Sequence, residues 1–173
     1  FWDPARGEVG PGLESVDAVV HLAGAPIAEH RWTDAWKTTV RDSRVQGTRT
    51  LARALAGLPP KVFVSTSAVG FYGDRGDEPL DEASPAGTGF LADVGRAWEA
   101  EVQPAVDAGW RVSIVRVGLV ISTHGGILGP LLPMFRWGLG GPVGDGQQWM
   151  SWVHLDDLVA MFHWLLTSDH AGV

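Results

Sequence analysis

Three short runs rich in aliphatic and β-branched residues, Asp17-Ala-Val-Val-His-Leu22, Lys61-Val-Phe-Val-Ser65 and Arg111-Val-Ser-Ile-Val-Arg-Val117, are separated by two longer stretches whose apolar residues return at helical spacing. A strand with one wet face alternates apolar with polar residues. These runs are nearly continuous, so as strands they need cover on both faces. Strand, helix, strand, helix, strand, with the strands buried on both sides, is the pattern of parallel strands joined by crossover helices. The sequence therefore predicts an α/β fold, a doubly wound parallel sheet.

The first helix is expected from Thr33 to about Ala56, with Trp36, Val40, Gly47, Leu51 and Leu55 on its inner stripe, Thr33 as N-cap, and Gly57 then Pro59-Pro60 as the stop. The second is expected from Phe90 to Val106, where Phe90, Val94, Trp98 and Val102 recur four apart. A Gly- and Asp-rich loop, Tyr72 to Gly89, precedes it, and Leu119-Val-Ile121 prolongs the third strand's apolar character. Beyond Leu128 to Trp137 come a Gly-rich loop to Gly146, a short strand around Trp149 to Val153, and a helix opening at Asp156 or Asp157 with Leu158, Phe162 and Leu165 inward. With 173 residues, 45% of them apolar, and no repeat or linker, one compact unit is expected.

Composition removes several function classes. The net charge of −7 argues against a phosphate-backbone surface, so no nucleic-acid partner is expected. There is no cysteine, which excludes disulfides, thiolate metal sites and cysteine nucleophiles. No His/Asp/Glu spacing suggests a metal site. The longest apolar stretch, near Leu158 to Leu166, is interrupted by His163 and falls short of the roughly 20 residues that cross a bilayer. No charged-then-apolar leader precedes Phe1. A soluble protein of the reducing cytoplasm, with no membrane partner, is the expectation.

In an open parallel sheet, ligands bind beyond the carboxyl ends of the strands, where turns and helix N-termini present free N–H groups. Here those ends read Leu22-Ala-Gly-Ala25, Ser65-Thr-Ser67 and Arg116-Val-Gly118, each rich in small or hydroxylated residues that let a flat ligand approach the backbone. These ends, together with Arg31-Trp32-Thr33, Ser43-Arg44, Ser65-Thr-Ser-Ala-Val-Gly-Phe-Tyr-Gly73, Phe90 to Glu99, Gly125-Gly-Ile-Leu-Gly129, Gly140-Gly-Pro-Val-Gly144 and Ser151-Trp-Val-His-Leu-Asp-Asp157, carry a resemblance. From about Trp2 to Leu166 the chain resembles the atypical extended short-chain dehydrogenase/reductases, more narrowly the NAD(P)-dependent nucleoside-diphosphate-sugar epimerase-like branch of the NAD-dependent epimerase/dehydratase superfamily.

The resemblance implies a Rossmann-type domain binding NADP or NAD. Leu22, Ala23, Gly24 and Ala25 would lie along the cofactor, with Ser65 and Thr66 beneath the nicotinamide. Arg116, Val117 and Gly118 would line the nicotinamide and ribose side, and Arg31, Ser43 and Arg44 would reach phosphate or ribose. Ala25 stands where many relatives carry Glu. Nothing before Asp17 supplies the family's strand, Gly-rich turn and helix. Gly138-Leu-Gly140-Gly141 with Gly144 has the wrong spacing, and Gly125-Gly126 with Gly129 runs into Pro130 and Pro133. What the resemblance implies is that residues 1–173 are a single partial domain, an internal piece lacking its N-terminal Gly-rich β-α-β unit, with 119–153 forming part of its substrate side.

Ordinary members of the superfamily use a Tyr whose phenol is acidified by a Lys four residues on, with a Ser holding the substrate oxygen. Tyr72 is the sole tyrosine, position 76 is Gly, and the only lysines are Lys37 and Lys61. Phe90 or Leu91 takes the place of the phenol, and Val94 or Gly95 that of the ammonium. The candidate catalytic residues are therefore Ser67, at the position of the superfamily's serine, and Tyr72 five residues on. The substrate implied is a small molecule, a nucleotide sugar or a carbonyl compound; no oligomeric state is implied. A nucleotide-binding sensor or scaffold without catalysis is the alternative, and a serine hydrolase built on Ser67 and His154 is a third reading that lacks a Gly-x-Ser-x-Gly elbow. Asp156 and Asp157 read as helix-capping residues, most of the nine tryptophans as core, and His21 as a satisfied core histidine.

Overall fold

The computed structural model describes residues 2–123, 125–142 and 144–173. Parts of the Gly140 to Gly144 motif and of the 119–153 region fall on Val143 and His124, outside the described residues. A hairpin of β1 (Trp2–Asp3) and β2 (Glu8–Val9) and a 3-10 turn at Leu13–Ser15 lead into β3 (Ala18–His21). Then come α1 (Asp34–Ala56), β4 (Val62–Ala68), a second 3-10 turn at Val69–Tyr72, α2 (Phe90–Ala100), α3 (Gln103–Asp107) and β5 (Arg111–Val117). The last elements are β6 (Leu119–Ser122), β7 (Gly125–Gly126), α4 (Leu128–Arg136), β8 (Trp152–His154) and α5 (Leu155–Thr167).

β3, β4 and β5 form a parallel sheet in that order. Strand pleating sends successive residues to opposite faces, and β4 shows what that achieves. Phe63 packs with Leu51 and Leu55 of α1, Ala105 of α3, Val102, Trp110 and Val112, whereas its neighbour Val64 packs with Val115 and with Leu158 and Leu165 of α5. Both faces are covered, which is why the strand sequences lack polar alternation. On the far side of β5, the Ile114 N–H donates to the Gly172 carbonyl at 2.7 Å, and the Gly172 N–H to the Val112 carbonyl at 2.9 Å. Among the described residues, no helix is long and apolar enough to cross a membrane.

Several expectations need correction. The second helix breaks: α2 ends at Ala100 because Pro104 has no N–H to bond the Ala100 carbonyl and its ring would crowd that oxygen. β4 runs on to Ala68, which places Ser67 inside the strand. Leu119 to Ile121 do not prolong β5. At Gly118 the backbone of Ser151 packs so closely that no Cβ would fit, and β6 begins a second sheet, parallel to β8 and antiparallel to β7. α5 opens at Leu155, capped by the His154 side chain, whose Nδ1 accepts from the Asp156 N–H at 3.2 Å. The tryptophans are mostly not core. Trp98 and Trp110 are buried, their indole N–H groups donating to Thr48 Oγ1 and the Leu55 carbonyl, while Trp2, Trp32, Trp137, Trp149, Trp152 and Trp164 are exposed.

Candidate functional site

The tips of the three parallel strands are neighbours. His21 is in register with Ser65, Ser67 with Arg116, and Ala68 with Val117, so β4 forms the middle of the edge and projects past β3. The turn after β3 is thin and open, with Leu22 62% exposed. α1 holds it. Ser43 Oγ accepts from the Ala25 N–H at 3.0 Å, and Arg44 Nη1 donates to the Ala25 carbonyl at 2.9 Å. Ser43 and Arg44, expected to reach a ligand, thus first fix both backbone groups of Ala25. Arg31 is exposed on the loop leading to α1, and its guanidinium makes no ion pair among the described residues.

Within β4 the three hydroxyls differ. Ser65 is buried beneath the tip. Thr66 Oγ1 donates to the His21 carbonyl at 2.9 Å, tying β3 to β4 where their ladder ends. Ser67 is only 3% exposed, and its Oγ has no hydrogen-bond partner among the described residues. A buried hydroxyl without a partner costs about 1–3 kcal/mol, so this atom is the one at the tip that a ligand oxygen would satisfy. It makes no bond to His154, whose ring caps α5, and the hydrolase dyad is therefore not assembled.

Arg116 was expected on the nicotinamide side. Instead its guanidinium is committed inside the protein. Nε and Nη2 fork onto Glu99 Oε1 and Oε2 at 2.9 Å each, and Nη1 donates to Tyr72 Oη at 3.0 Å and to the Glu82 carbonyl at 3.1 Å. Its Cζ lies 3.6 Å from the centroid of the Phe71 ring. The Arg116 and Glu99 side chains are 9% and 10% exposed. Hydrogen bonds to Glu99, outweighing the cost of burial and joined by the bond to Tyr72, hold the guanidinium well above its ordinary value. Tyr72 is itself buried, and its oxygen accepts from Arg116. Val117 and Gly118 follow at the β5 tip, partly buried.

A cleft of about 470 Å³ opens beside this edge, lined by Trp32, Lys37, Gly70, Gly73, Gly89 and Phe90 among others. Phe90 opens α2, its ring edge-on to Trp32 at 5.6 Å with Lys37 Nζ 6.0 Å from its centroid. Lys37 and Glu99 are residues that sequence reasoning missed. The signal for Lys37 was present: Thr33 accepts from the Trp36 N–H as N-cap, which places position 37 in the first turn of α1, facing α2. Glu99 carried no local signal, because its partner lies on another element. Trp149 Nε1 donates to Asp77 Oδ1 at 2.7 Å, linking the Gly-rich segment before β8 to the loop after Tyr72.

His21 is core but not satisfied. It is 4% exposed, edge-on to Trp2 at 5.6 Å, and its Nε2 has no partner among the described residues. Burial lowers its pKa from the ordinary 6.5. The folded state then binds fewer protons than the unfolded chain, so stability rises with pH and is lost as pH falls below 6.5. Urea midpoints at pH 5 and pH 7.5 should show this loss, and His21→Leu should flatten it; an unchanged slope in the variant would place the titrating group elsewhere. Among the described residues, no group of three His, Asp or Glu side chains is placed to hold a metal.

Comparison with known proteins agrees with this architecture. Residues 11–173 match the profile of the NAD dependent epimerase/dehydratase family. Epimerase family protein Mb2239 of Mycobacterium bovis is 45% identical over 159 residues, covering 91% of this chain and 53% of that protein. The crystal structure of human epimerase family protein SDR39U1 (isoform 2) with NADPH superposes with a TM-score of 0.88 at 34% identity, covering 94% of this chain and 57% of that one. The nucleoside-diphosphate sugar epimerase from Corynebacterium glutamicum superposes with a TM-score of 0.83 at 41% identity, covering 99% of this chain and 36% of that one. The chain spans about half the length of the curated relatives it matches.

Proposed function

The chain belongs to the NAD dependent epimerase/dehydratase family, and from that premise we propose that it binds NADP or NAD across the tips of β3, β4 and β5 and acts as an oxidoreductase or epimerase-like enzyme on a small molecule. The substrate class we favour is a nucleotide sugar or a carbonyl compound, in a cytoplasmic setting. The observation that carries this reading is Ser67 Oγ, a buried hydroxyl without a partner at the tip of the central strand. The NADPH complex of the human relative and the nucleoside-diphosphate sugar epimerase of Corynebacterium glutamicum support the cofactor and substrate classes.

The residues present fit the nicotinamide half of such a cofactor. Leu22, Ala23, Gly24 and Ala25 offer a thin, open turn, Ser65 and Thr66 a closed floor, and Val117 and Gly118 the adjoining strand tip. The nicotinamide, when bound, supplies or takes up a hydride. Ser67 orients the substrate oxygen by donating to it. Tyr72 Oη accepts from Arg116, so its own proton is the donor left for a ligand. The cleft walled by Trp32, Phe90 and Lys37 seats the rest of the substrate.

One observation favours a second reading, a binding protein without turnover. Neither lysine stands at the Tyr72 phenol: Lys37 reaches the Phe90 ring, and Lys61 Nζ donates to the Val16 carbonyl. NADPH oxidation by the full-length protein with a panel of carbonyl compounds and UDP-sugars separates the two. Ser67→Ala should lower turnover about tenfold with cofactor affinity unchanged. Tight NADPH binding with no turnover would leave the silent protein as the answer.

A further inference from the structure

The cleft beside the strand tips is uneven in its chemistry. Its walls are the rings of Trp32 and Phe90, set edge-to-face, the Leu91 side chain, and the bare backbone of Gly70, Gly73 and Gly89. Trp32 and Leu91 are 45% and 40% exposed, so large apolar surface is left open to water in one place. Two side chains in the lining carry charge, Lys37 and Asp74. Asp74 is engaged, its Oδ1 accepting from the Gly76 N–H at 3.0 Å.

Lys37 is not. Its Nζ lies 3.5 Å from the Asp34 carboxylate, but Asp34 is fully exposed, and such a pair is weak in water. The ammonium makes no hydrogen bond among the described residues, so its three N–H donors are open to a ligand. Lys61, by contrast, donates to the Val16 carbonyl. Lys37 Nζ is 6.0 Å from the centroid of the Phe90 ring, so this open cation adjoins the apolar wall.

A nucleotide sugar would bring two phosphate charges and a row of hydroxyls, each of which loses its water on entry and must find a partner. One lysine, with an aspartate in the same lining, cannot answer a diphosphate, and Thr88 carries the only hydroxyl there. A flat apolar body with one carboxylate matches instead. The body covers Trp32, Phe90 and Leu91, and the carboxylate exchanges water for the Lys37 ammonium.

We propose that this cleft binds a planar, apolar molecule carrying a single carboxylate. The inference rests on the enzyme reading above, and within it the substrate is an aromatic or unsaturated carbonyl acid, not a nucleotide sugar. Reduction of that carbonyl takes a hydride from NADPH at carbon and a proton at oxygen, giving the alcohol and NADP+ with the carboxylate unchanged.

Calorimetric titration of the full-length protein with 2-naphthoate, its neutral analogue 2-naphthalenemethanol and UDP-glucose tests it. The naphthoate should bind about tenfold tighter than the alcohol. Lys37→Met, which keeps the apolar stem, should erase that difference and leave the alcohol as it was, and Lys37→Arg should restore most of it. Trp32→Ala should weaken both naphthalenes about tenfold. Equal affinity for acid and alcohol, or equal weakening of both by Lys37→Met, would overturn the carboxylate assignment. UDP-glucose binding that falls in both Lys37→Met and Trp32→Ala would give the cleft to a nucleotide sugar and overturn the inference.

NADPH oxidation separates the inference from the reading beneath it. 6-Formyl-2-naphthoate should show a KM about tenfold below that of 2-naphthaldehyde, a gap that closes in Lys37→Met. Lys37-dependent binding of 2-naphthoate with no NADPH oxidation would uphold the ligand class and sink the enzyme. Turnover of carbonyl compounds that ignores both the carboxylate and Lys37 would uphold the enzyme and overturn the ligand class.

Discussion

Glu99→Ala is expected to destabilise the protein by about 3 kcal/mol, because removing one partner of a buried ion pair strands the other. For a protein of this size that is a fall in melting temperature of roughly 6–12 °C. The argument comes from the surroundings of Arg116. Once Glu99 is gone, Nε and Nη2 lose both carboxylate oxygens, while Nη1 stays tied to Tyr72 and the Glu82 carbonyl and the guanidinium stays stacked on Phe71. The charge is thus held in place and cannot swing out to water cheaply. Glu99→Gln, which keeps one acceptor, should cost less than alanine. Replacing the pair together, Glu99→Leu with Arg116→Met, should cost less than Glu99→Ala, since an apolar pair of similar volume leaves no buried charge. Urea denaturation of the three variants decides the matter. A double replacement as damaging as Glu99→Ala would mean that the loss comes from the contacts to Tyr72 and Glu82, not from a stranded charge.

The same pair shows where sequence reasoning stops. The order of strands and helices was legible because it is written locally: unbroken apolar runs need cover on both faces, and Thr33, Gly57 and Pro59 punctuate α1 where it begins and ends. Adjacency of the strand tips followed from that order. What could not be read was which side chains are already engaged. Arg116 reads as a ligand-facing arginine from its place at the end of β5, yet Glu99 on α2 already engages its guanidinium. Ser43 and Arg44 looked like ligand residues too. The structure shows Ser43 wholly used in holding the turn, its Oγ accepting from Ala25 and donating to the Val40 carbonyl, and Arg44 only partly used. A hydrogen-bond partner 17 to 19 residues away leaves no trace in spacing. The break between α2 and α3 is different: Pro104 was visible, and the period of Phe90, Val94, Trp98 and Val102 ran through it, so apolar periodicity outweighed a local signal that should have prevailed.

The exposure of Trp137, Trp149 and Trp152 has a related cause. Apolar content says that a residue gains by burial, not that a described element is there to bury it. All three lie in the segment from the end of α4 to β8, where the Trp149 indole N–H donates to Asp77.

The loop between Tyr72 and α2 contains the position where a single methyl should do most harm. Gly87 folds back onto the 3-10 turn that carries Tyr72. A Cβ there would overlap the Tyr72 carbonyl oxygen and come within 2.5 Å of its carbon and 2.9 Å of Gly73 N. These are backbone atoms and cannot rotate away. Nor can Gly87 retreat freely, because its N–H donates to the Phe71 carbonyl at 3.0 Å and its carbonyl accepts from Arg96 Nη1 at 2.7 Å. Gly87→Ala is expected to cost about 3 kcal/mol, at the upper end of ordinary overpacking, and to shift the turn enough to pull Tyr72 Oη from Arg116. Gly76→Ala is the control. That glycine has φ +56 with nothing within 4 Å of a Cβ, so it carries only the left-handed backbone penalty of about 1 kcal/mol. Because Tyr72 is the sole tyrosine, its ring bands in the ultraviolet resonance Raman spectrum report the hydrogen bonding of one phenol. They should change in Gly87→Ala and stay as they are in Gly76→Ala. Equal costs for the two variants, with unchanged tyrosine bands in both, would show that the loop yields where the geometry says it is wedged.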